Sequence, residues 1–128
     1  MKKDFIPYEQ ALALKELGFD EPCFGGYYSN QDNVNLWFFK EAKNSDRDER
    51  VREGFATAPT YSQAFRWFRE KYGLCIVIKP IDDKKLDLGY NLLKNGLIMN
   101  AHLTYEGAEL ACLRNLIKIV KTYGGDQQ

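Results

Sequence analysis

The chain has few of the side chains on which metal binding and acid–base catalysis depend. It contains one histidine, His102, and three cysteines that lie far apart in the sequence. An odd number of widely spaced cysteines argues against a disulfide framework. The spacing of these cysteines and of His102 also fits no zinc motif. We therefore expect no metal, no cofactor and no catalytic residue.

The chain also lacks an excess of charge and a long apolar run. Eighteen basic residues balance eighteen acidic ones, so no net field draws the chain towards nucleic acid or a lipid surface. No apolar run approaches the roughly 20 residues that a membrane span needs, and the first residues do not resemble a signal peptide. We expect a soluble cytoplasmic protein with no membrane partner.

The length and composition are those of one globular domain. The chain has 128 residues, of which 45% are apolar, so we expect a single domain over residues 1–128. One stretch departs from this composition, because residues 43–50 are dense in charge of both signs and have no apolar stripe. That stretch predicts a mobile charged loop at about residues 40–57.

Three segments begin with the same pattern, a tyrosine followed three residues later by an alanine. They start at Tyr8, Tyr61 and Tyr105, and each opens an amphipathic run. The runs predict helices over residues 7–17, about 61–72, and 105–123. The first two end on a glycine followed by an apolar residue. This is the pattern of a left-handed helix cap against which the apolar side chain folds back.

Two strands are predicted between the first two helices, over residues 21–28 and 34–39. Gly25 and Gly26 lie in the first strand and indicate a bulge or a close backbone approach. Alternation divides the second strand between two faces. Its core-facing side chains are expected to be Val34, Leu36 and Phe38, and Asn35, Trp37 and Phe39 are expected to point the other way. Since Trp37 and Phe39 are too apolar for a bare surface, we expect the linker or a partner to cover them.

Three more strands are predicted after the second helix. Residues 74–78 form an apolar run that ends before Pro80, which predicts a central strand buried on both faces. Asn95-Gly96 predicts a two-residue hairpin turn. The resulting register opposes Leu92 with Met99, Asn91 with Asn100, and Gly89 with His102. The element order α-β-β-α-β-β-β-α then predicts an α+β two-layer sandwich. Its mainly antiparallel sheet of about five strands has three helices packed on one face.

Three kinds of binding surface can be drawn from these elements. Exposed aromatic residues near Trp37, Phe39 and Trp67 predict a protein partner, which includes a second copy of the chain. The alternative is a cleft for a small, nucleotide-type ligand, as in a sequestering counter-defence protein. Tyr27 and Tyr28 would form it together with the polar hairpin face that carries Asn91, Asn100 and His102. The plainer interpretations are an aromatic core and ordinary solvated strand residues.

A basic helix edge offers the third surface. If the second and third helices lie side by side, their cations combine into one patch that would bind nucleic acid or an acidic protein. The residues of this patch are Arg66, Arg69, Lys71, Arg114, Lys118 and Lys121, with Trp67 among them. The plainer interpretation is a solvated helix face, and the zero net charge favours it.

Three stretches resemble a family of small uncharacterised proteins found in phages and mobile elements of Bacteroidota-type bacteria. They are residues 5–24 (FIPYEQALALKELGFDEPCF), residues 58–74 (APTYSQAFRWFREKYGL) and residues 104–121 (TYEGAELACLRNLIKIVK). The family has no assigned activity, so the resemblance implies a setting and no catalytic role. Together with the surfaces above, it predicts a non-enzymatic accessory protein that acts by binding in the cytoplasm of a bacterial host cell.

Overall fold

The chain folds into three helices and six strands within the residues that the structure describes. The structure is a computed structural model, and it describes residues 2–29, 33–45, 55–82, 87–92, 97–102 and 105–123. The strands in these residues form two three-stranded antiparallel sheets. The predicted α+β class is confirmed. A single sheet of about five strands with three helices on one face is not confirmed.

The chain divides into two compact units, Met1–Ser62 and Gln63–Gln128. The division falls in the first turn of the second helix. The single domain expected from the chain length stays a prediction.

The first unit combines one helix with one sheet. A short 3₁₀ turn, Lys2–Asp4, precedes helix α1, Tyr8–Glu16. The sheet has the order β2-β1-β3, so β1 lies in its centre. Its strands are β1, Cys23–Ser29, β2, Val34–Ala42, and β3, Phe55–Ala58. Helix α1 packs against β3, at the edge of the sheet opposite to β2.

Helix α1 ends in the glycine cap that the sequence predicts. Gly18 has a φ of 95°, in the left-handed region that a residue without Cβ adopts most easily. Its amide donates to the Lys15 carbonyl at 3.1 Å, and the Phe19 amide donates to the Leu14 carbonyl at 2.9 Å. This is the Schellman arrangement. Phe19 is buried, so the cap also directs a large side chain into the core.

Gly25 and Gly26 allow aromatic rings to lie against both faces of β1. A Cβ built on Gly25 would lie 2.9 Å from the Phe5 ring, and one on Gly26 would lie 2.7 Å from the Phe55 ring. Successive residues of a strand point to opposite faces, so the two rings lie on opposite sides of the sheet. The pairing of β1 with β2 also shifts register between Cys23 and Gly25. The predicted bulge and the predicted close approach are both confirmed.

The predicted charged loop is shorter than expected, because both of its ends are strand. Strand β2 continues through Ala42, and Phe55–Ala58 forms the fully buried strand β3. Asn44 ties the end of β2 to the unit, since its Nδ2 donates to the Phe19 carbonyl at 2.8 Å. Its Oδ1 accepts from the Thr57 amide at 2.9 Å, which satisfies a buried donor of β3. Residues 46–54 of the predicted loop lie outside the described residues.

The second unit places a long helix on the second sheet. Its elements are α2, Tyr61–Tyr72, β4, Ile76–Asp82, β5, Asp87–Leu92, β6, Leu97–His102, and α3, Tyr105–Tyr123. Helix α3 packs against all three strands. The apolar spacing of the sequence predicts a wide buried arc on α3, formed by Ala108, Leu110, Cys112, Leu113, Leu116, Ile117, Ile119 and Val120. Six of these eight side chains are buried, and Leu110 and Ile119 are half-buried. No helix in the described part of the chain is long and apolar enough to cross a lipid bilayer.

Strand β4 lies at an edge of the described sheet, so the prediction of a central strand is wrong. The sheet order is β4-β5-β6, and β4 runs through Pro80 instead of ending before it. Proline has no amide hydrogen to donate, so within sheets it occurs mainly on edge strands. Pro80 is thus compatible with β4 because one side of this strand has no neighbouring strand within the described residues.

The β5–β6 hairpin forms, but its register differs from the predicted one. Leu92 lies opposite Leu97 and Asn91 opposite Ile98, which is a shift of two residues from the prediction. A second irregularity follows, because the register shifts again between Leu88 and Tyr90 and brings His102 opposite Leu88. The predicted two-residue turn at Asn95-Gly96 lies outside the described residues.

Candidate functional site

The large apolar side chains that are exposed in the described part of the chain lie on two neighbouring strands, β1 and β2. Their exposed fractions are 67% for Phe24, 45% for Val34, 55% for Trp37 and 49% for Phe38. We call these four residues the aromatic edge, because three of them belong to the edge strand β2. They lie on both faces of the sheet along these two strands, and large apolar side chains exposed beside an edge strand are suited to contact with a partner.

An aromatic stack supports Trp37 on one face of the sheet. The Tyr28 ring contacts the Trp37 ring edge to face, with centroids 6.2 Å apart, and lies 4.9 Å from the Phe55 ring. Phe39 completes the stack at 6.2 Å from Tyr28 and 5.9 Å from Phe55. Phe55 is only 1% exposed, so the stack is anchored in the core and holds Trp37 at the surface.

The N-terminal segment supports Phe38 on the other face. The Phe5 ring contacts the Phe38 ring edge to face at 5.4 Å. Beside it, Tyr8 contacts Tyr27 at 5.6 Å, and the Tyr27 hydroxyl donates to the Ile6 carbonyl at 2.7 Å. Burial raises the pKa of the Tyr27 phenol, which keeps the hydroxyl protonated as a donor. Both exposed aromatic residues of β2 therefore rest on rings that the fold holds in place.

The side chains of β2 alternate between the two faces of the sheet as predicted, but those expected to face the core are not all buried. Phe38 does lie on the face opposite to Trp37 and Phe39, but Val34 and Phe38 are about half exposed instead of facing the core. The physical reason is the position of β2, since α1 packs on β3 at the far edge of the sheet. Alternation in the sequence does not distinguish an edge strand from a central one, so it does not predict the exposure of Val34 and Phe38. Phe24 lies on β1 at the register shift between Cys23 and Gly25, and the sequence analysis does not identify it as a surface residue.

Trp67 is not an exposed aromatic residue, so that prediction is wrong. Its side chain is 7% exposed and contacts the rings of Phe68 at 5.1 Å and Tyr72 at 5.6 Å. The Lys71 ammonium lies 5.2 Å from the centre of the Trp67 ring and covers it. Trp67 therefore belongs to the packed side of α2.

The aromatic residues predicted to bind a ligand are divided between the two faces of the first sheet. Tyr28, Trp37 and Phe39 come together in the aromatic stack, whereas Tyr27 points to the opposite face and contacts Tyr8. Tyr27 and Tyr28 do not form one wall, because they are consecutive residues of β1.

The polar hairpin face was expected to contribute Asn91, Asn100 and His102 to the same site. The backbone places these residues on β5 and β6. Their predicted cross-strand pairs do not form, since Asn91 lies opposite Ile98 and His102 lies opposite Leu88. A ligand cleft that uses these residues stays a prediction.

The basic residues lie on exposed helix faces. On α2, Arg66 Nε lies 3.7 Å from Glu70 Oε1, with both side chains more than half exposed, so this ion pair has little effect on stability. Arg69 of α2 and Arg114 and Lys118 of α3 are exposed as well. A single basic surface shared by the two helices stays a prediction.

The buried Cys112 thiol is not prepared for nucleophilic chemistry. Burial, and secondarily the charge of Glu109, raises the pKa of the Cys112 thiol to about 12, so the reactive thiolate is absent at neutral pH. Cys23 is also buried, and its Sγ donates to the Glu21 carbonyl at 3.4 Å. Within the described residues, no group of three or more His, Cys, Asp or Glu side chains could hold a metal ion. The aromatic edge consists of apolar side chains, which are suited to contact with another apolar surface.

Comparisons with known proteins give no match to a family model, to a curated protein or to a solved structure. A function for the aromatic edge therefore has to be inferred from the chain's own residues.

Proposed function

We propose that this protein is a non-enzymatic accessory protein of a phage or mobile element, and that it acts by binding another protein through the aromatic edge. The observation that carries the binding proposal is the exposure of Trp37 and Phe38 on an edge strand. The phage or mobile-element setting is supported by the resemblance of residues 5–24, 58–74 and 104–121 alone.

The chemistry of the aromatic edge supports a protein as the partner. Tryptophan and phenylalanine are enriched in the cores of protein interfaces, where their large rings leave water with little loss of side-chain freedom. Trp37 and Phe38 are already held against Tyr28 and Phe5, so binding would immobilise them at little further cost. Small ligands usually bind in concave pockets, and an exposed strand edge is a less favourable shape for them.

The edge position of β2 supports an extended partner. In the described sheet, β2 pairs as a strand only with β1. The other side of an edge strand presents backbone donors and acceptors at the spacing that another strand needs. Addition of a strand to such an edge is a common mode of peptide recognition. Side chains on both faces would then contact the partner next to the new backbone hydrogen bonds.

The test is quantitative capture of proteins from a lysate of Bacteroidota-type cells by the tagged chain. Trp37→Ala is compared with the wild-type chain, and Arg114→Ala serves as a control at an exposed residue of α3. We expect Trp37→Ala to weaken binding to the captured protein about 30-fold, the effect of losing a typical hot-spot residue. We expect Arg114→Ala to have no effect. Equal capture by all three chains would refute the proposal.

A second candidate function, binding of nucleic acid, is favoured by one observation on α3. Arg114, Lys118 and Lys121 are all exposed and follow a spacing of four and three residues, which aligns them along one side of the helix. Such a row would contact phosphates. In this case, binding to a single-stranded oligonucleotide would weaken steeply with salt, and Lys118→Ala would reduce it while Trp37→Ala would not.

A further inference from the structure

We propose that the protein bound at the aromatic edge is a second copy of this chain, joined by antiparallel pairing of the two β2 strands about Phe38. This inference rests on the proposed function, because it names the partner of the same surface. This pairing would join the β2-β1-β3 sheet of one copy to the same sheet of the other copy, giving one sheet of six strands.

The sequence of β2 places residues of like type at equal distances from its central residue, Phe38: Trp37 and Phe39 are aromatic, and Asn35 and Glu41 are polar. In a two-fold pairing, residues that face each other across the strands lie on the same side of the extended sheet. A pairing centred on Phe38 brings Trp37 of each copy opposite Phe39 of the other, on the side of the sheet that carries the aromatic stack. The remaining pairs join Leu36 with Lys40, Asn35 with Glu41, and Val34 with Ala42.

Neighbouring registers are less favourable. Centring the pair on Trp37 would bring the polar Asn35 opposite Phe39. Centring it on Phe39 would bring the Glu41 carboxylate opposite the Trp37 ring. Of these three registers, only the one about Phe38 places no polar side chain opposite an aromatic ring, and such cross-strand matching helps to specify strand register.

Repulsion between like charges does not oppose the Phe38 register. Lys40 of one copy lies opposite Leu36 of the other, so the two Lys40 residues are four positions apart along the strand. At about 3.3 Å per residue this is roughly 13 Å, which exceeds the Debye length of about 8 Å at physiological salt. The two Glu41 residues are six positions apart and are farther still.

The surface available for this contact fits a weak, reversible dimer. Trp37 and Phe38 are each about half exposed. With about 150–250 Å² for a whole aromatic side chain, they offer roughly 200 Å² per copy. A standard stable interface buries about 800 Å² per partner, and the backbone edge and the stems of Leu36 and Lys40 would add part of the remainder. We therefore expect an equilibrium between monomer and dimer that depends on protein concentration.

The pairing of Asn35 with Glu41 provides a test that is specific to the register. Asn35→Glu would place Glu opposite Glu twice in the dimer, and Asn35→Lys would create two opposite-charge pairs. From the usual strength of cross-strand pairs, we expect the dimer dissociation constant to rise roughly fivefold for Asn35→Glu and to fall by a similar factor for Asn35→Lys. Adding Glu41→Lys to Asn35→Glu should restore dimerisation. Asn35→Gln is the matched neutral control.

The measurement is sedimentation velocity of the full chain over a range of concentrations. A gain of affinity in Asn35→Lys cannot arise from a variant that folds poorly, so it supports the proposal independently of the losses. A chain that is monomeric at all concentrations overturns the inference, and so does a dimer that is insensitive to Asn35→Glu or not restored by Glu41→Lys.

The inference and the proposed function fail in distinguishable ways. A monomeric chain that binds a different protein through Trp37 overturns the inference and leaves the proposed function standing. If no protein, the chain itself included, loses binding on Trp37→Ala, both are overturned.

Discussion

Gly26→Ala tests whether the aromatic stack beneath Trp37 is as tightly packed as the geometry indicates. The added methyl carbon would lie 2.7 Å from Phe55 Cε1, 2.8 Å from Phe55 Cζ and 3.0 Å from Phe39 Cε2. Ordinary carbon contacts are about 3.5–4.0 Å, so both rings would have to move. Phe55 is 1% exposed and cannot move into solvent, so the strain falls on the core of the first unit.

The expected cost follows from overpacking of a filled core. We expect Gly26→Ala to lower the free energy of unfolding by about 1–3 kcal/mol. Gly73→Ala is the control, because it replaces a glycine without causing a clash. No heavy atom lies within 4 Å of the Cβ position at Gly73, whereas its φ of +68° is unfavourable for alanine. Its cost of about 1–2 kcal/mol would come from the backbone alone. Phe55→Leu shortens the clashing ring and should therefore relieve Gly26→Ala but not Gly73→Ala.

The assay is urea unfolding followed by tryptophan fluorescence in a Trp67→Phe background. Trp37 is then the only tryptophan, and it reports on the first unit. Gly73 belongs to the second unit, so unfolding of the Gly73→Ala control is followed by far-ultraviolet circular dichroism. We expect Gly26→Ala and Phe55→Leu to be coupled by at least about 1 kcal/mol in a double-mutant cycle, in the direction of rescue. Additive effects of the two substitutions would refute the account of the stack, and so would a Gly26→Ala variant as stable as the wild type.

Two further predictions concern a buried amide bond and a buried thiol. Asn44→Ala leaves the Thr57 amide without the acceptor that lies 2.9 Å away. We expect this substitution to lower the free energy of unfolding in urea by about 1–3 kcal/mol. Asn35→Ala, at an exposed residue, is the control and should lower it by less than about 0.5 kcal/mol. The pKa of Cys112 is raised from 9.0 to about 12, so the folded chain keeps a proton that the unfolded chain loses above pH 9. The free energy of unfolding should therefore fall as the pH rises above 9. At pH 8, iodoacetamide should label the half-buried Cys75 before the buried Cys112, and mass spectrometry would show the order of labelling.

Local signals in the sequence were sufficient where neighbouring residues decide the structure. The end of α1 followed from Gly18 and Phe19, because a helix cap depends on the residues of its own last turn. The bounds and the buried arc of α3 followed from a period of 3.6 residues that extends over five turns of helix. Both features are confirmed because few distant contacts compete with them.

The sheets were predicted less well, because strand pairing depends on residues far apart in the chain. Strand β3 has only four residues and follows a charged run, so most of it falls within the loop predicted at about residues 40–57. The apolar run before Pro80 was taken as a central strand, although the tolerance of Pro80 in β4 arises from its edge position. The number and order of strands could not follow from alternation alone.

The candidate site was predicted in part. Trp37 and Phe39 were identified because two aromatic residues on the outer face of a strand are too apolar for bare solvent. Trp67 was misassigned, because its helical neighbours Arg66 and Lys71 suggested a wet face while the ring itself is packed against Phe68 and Tyr72. Burial of a residue at the margin of an apolar stripe depends on what packs against the helix, and the sequence does not contain that information.

The central claim, that the aromatic edge is a protein-binding surface, is tested most directly by hydrogen exchange along Val34–Ala42. If a second copy pairs with β2, the β2 amides should exchange more slowly at high than at low protein concentration. Asn35→Glu should shift this protection to roughly fivefold higher protein concentration. Amides of α3 should serve as an internal reference whose exchange does not change. The account would be contradicted if the β2 amides exchange at the same rate at all protein concentrations, and if adding a protein captured from the lysate does not slow their exchange either.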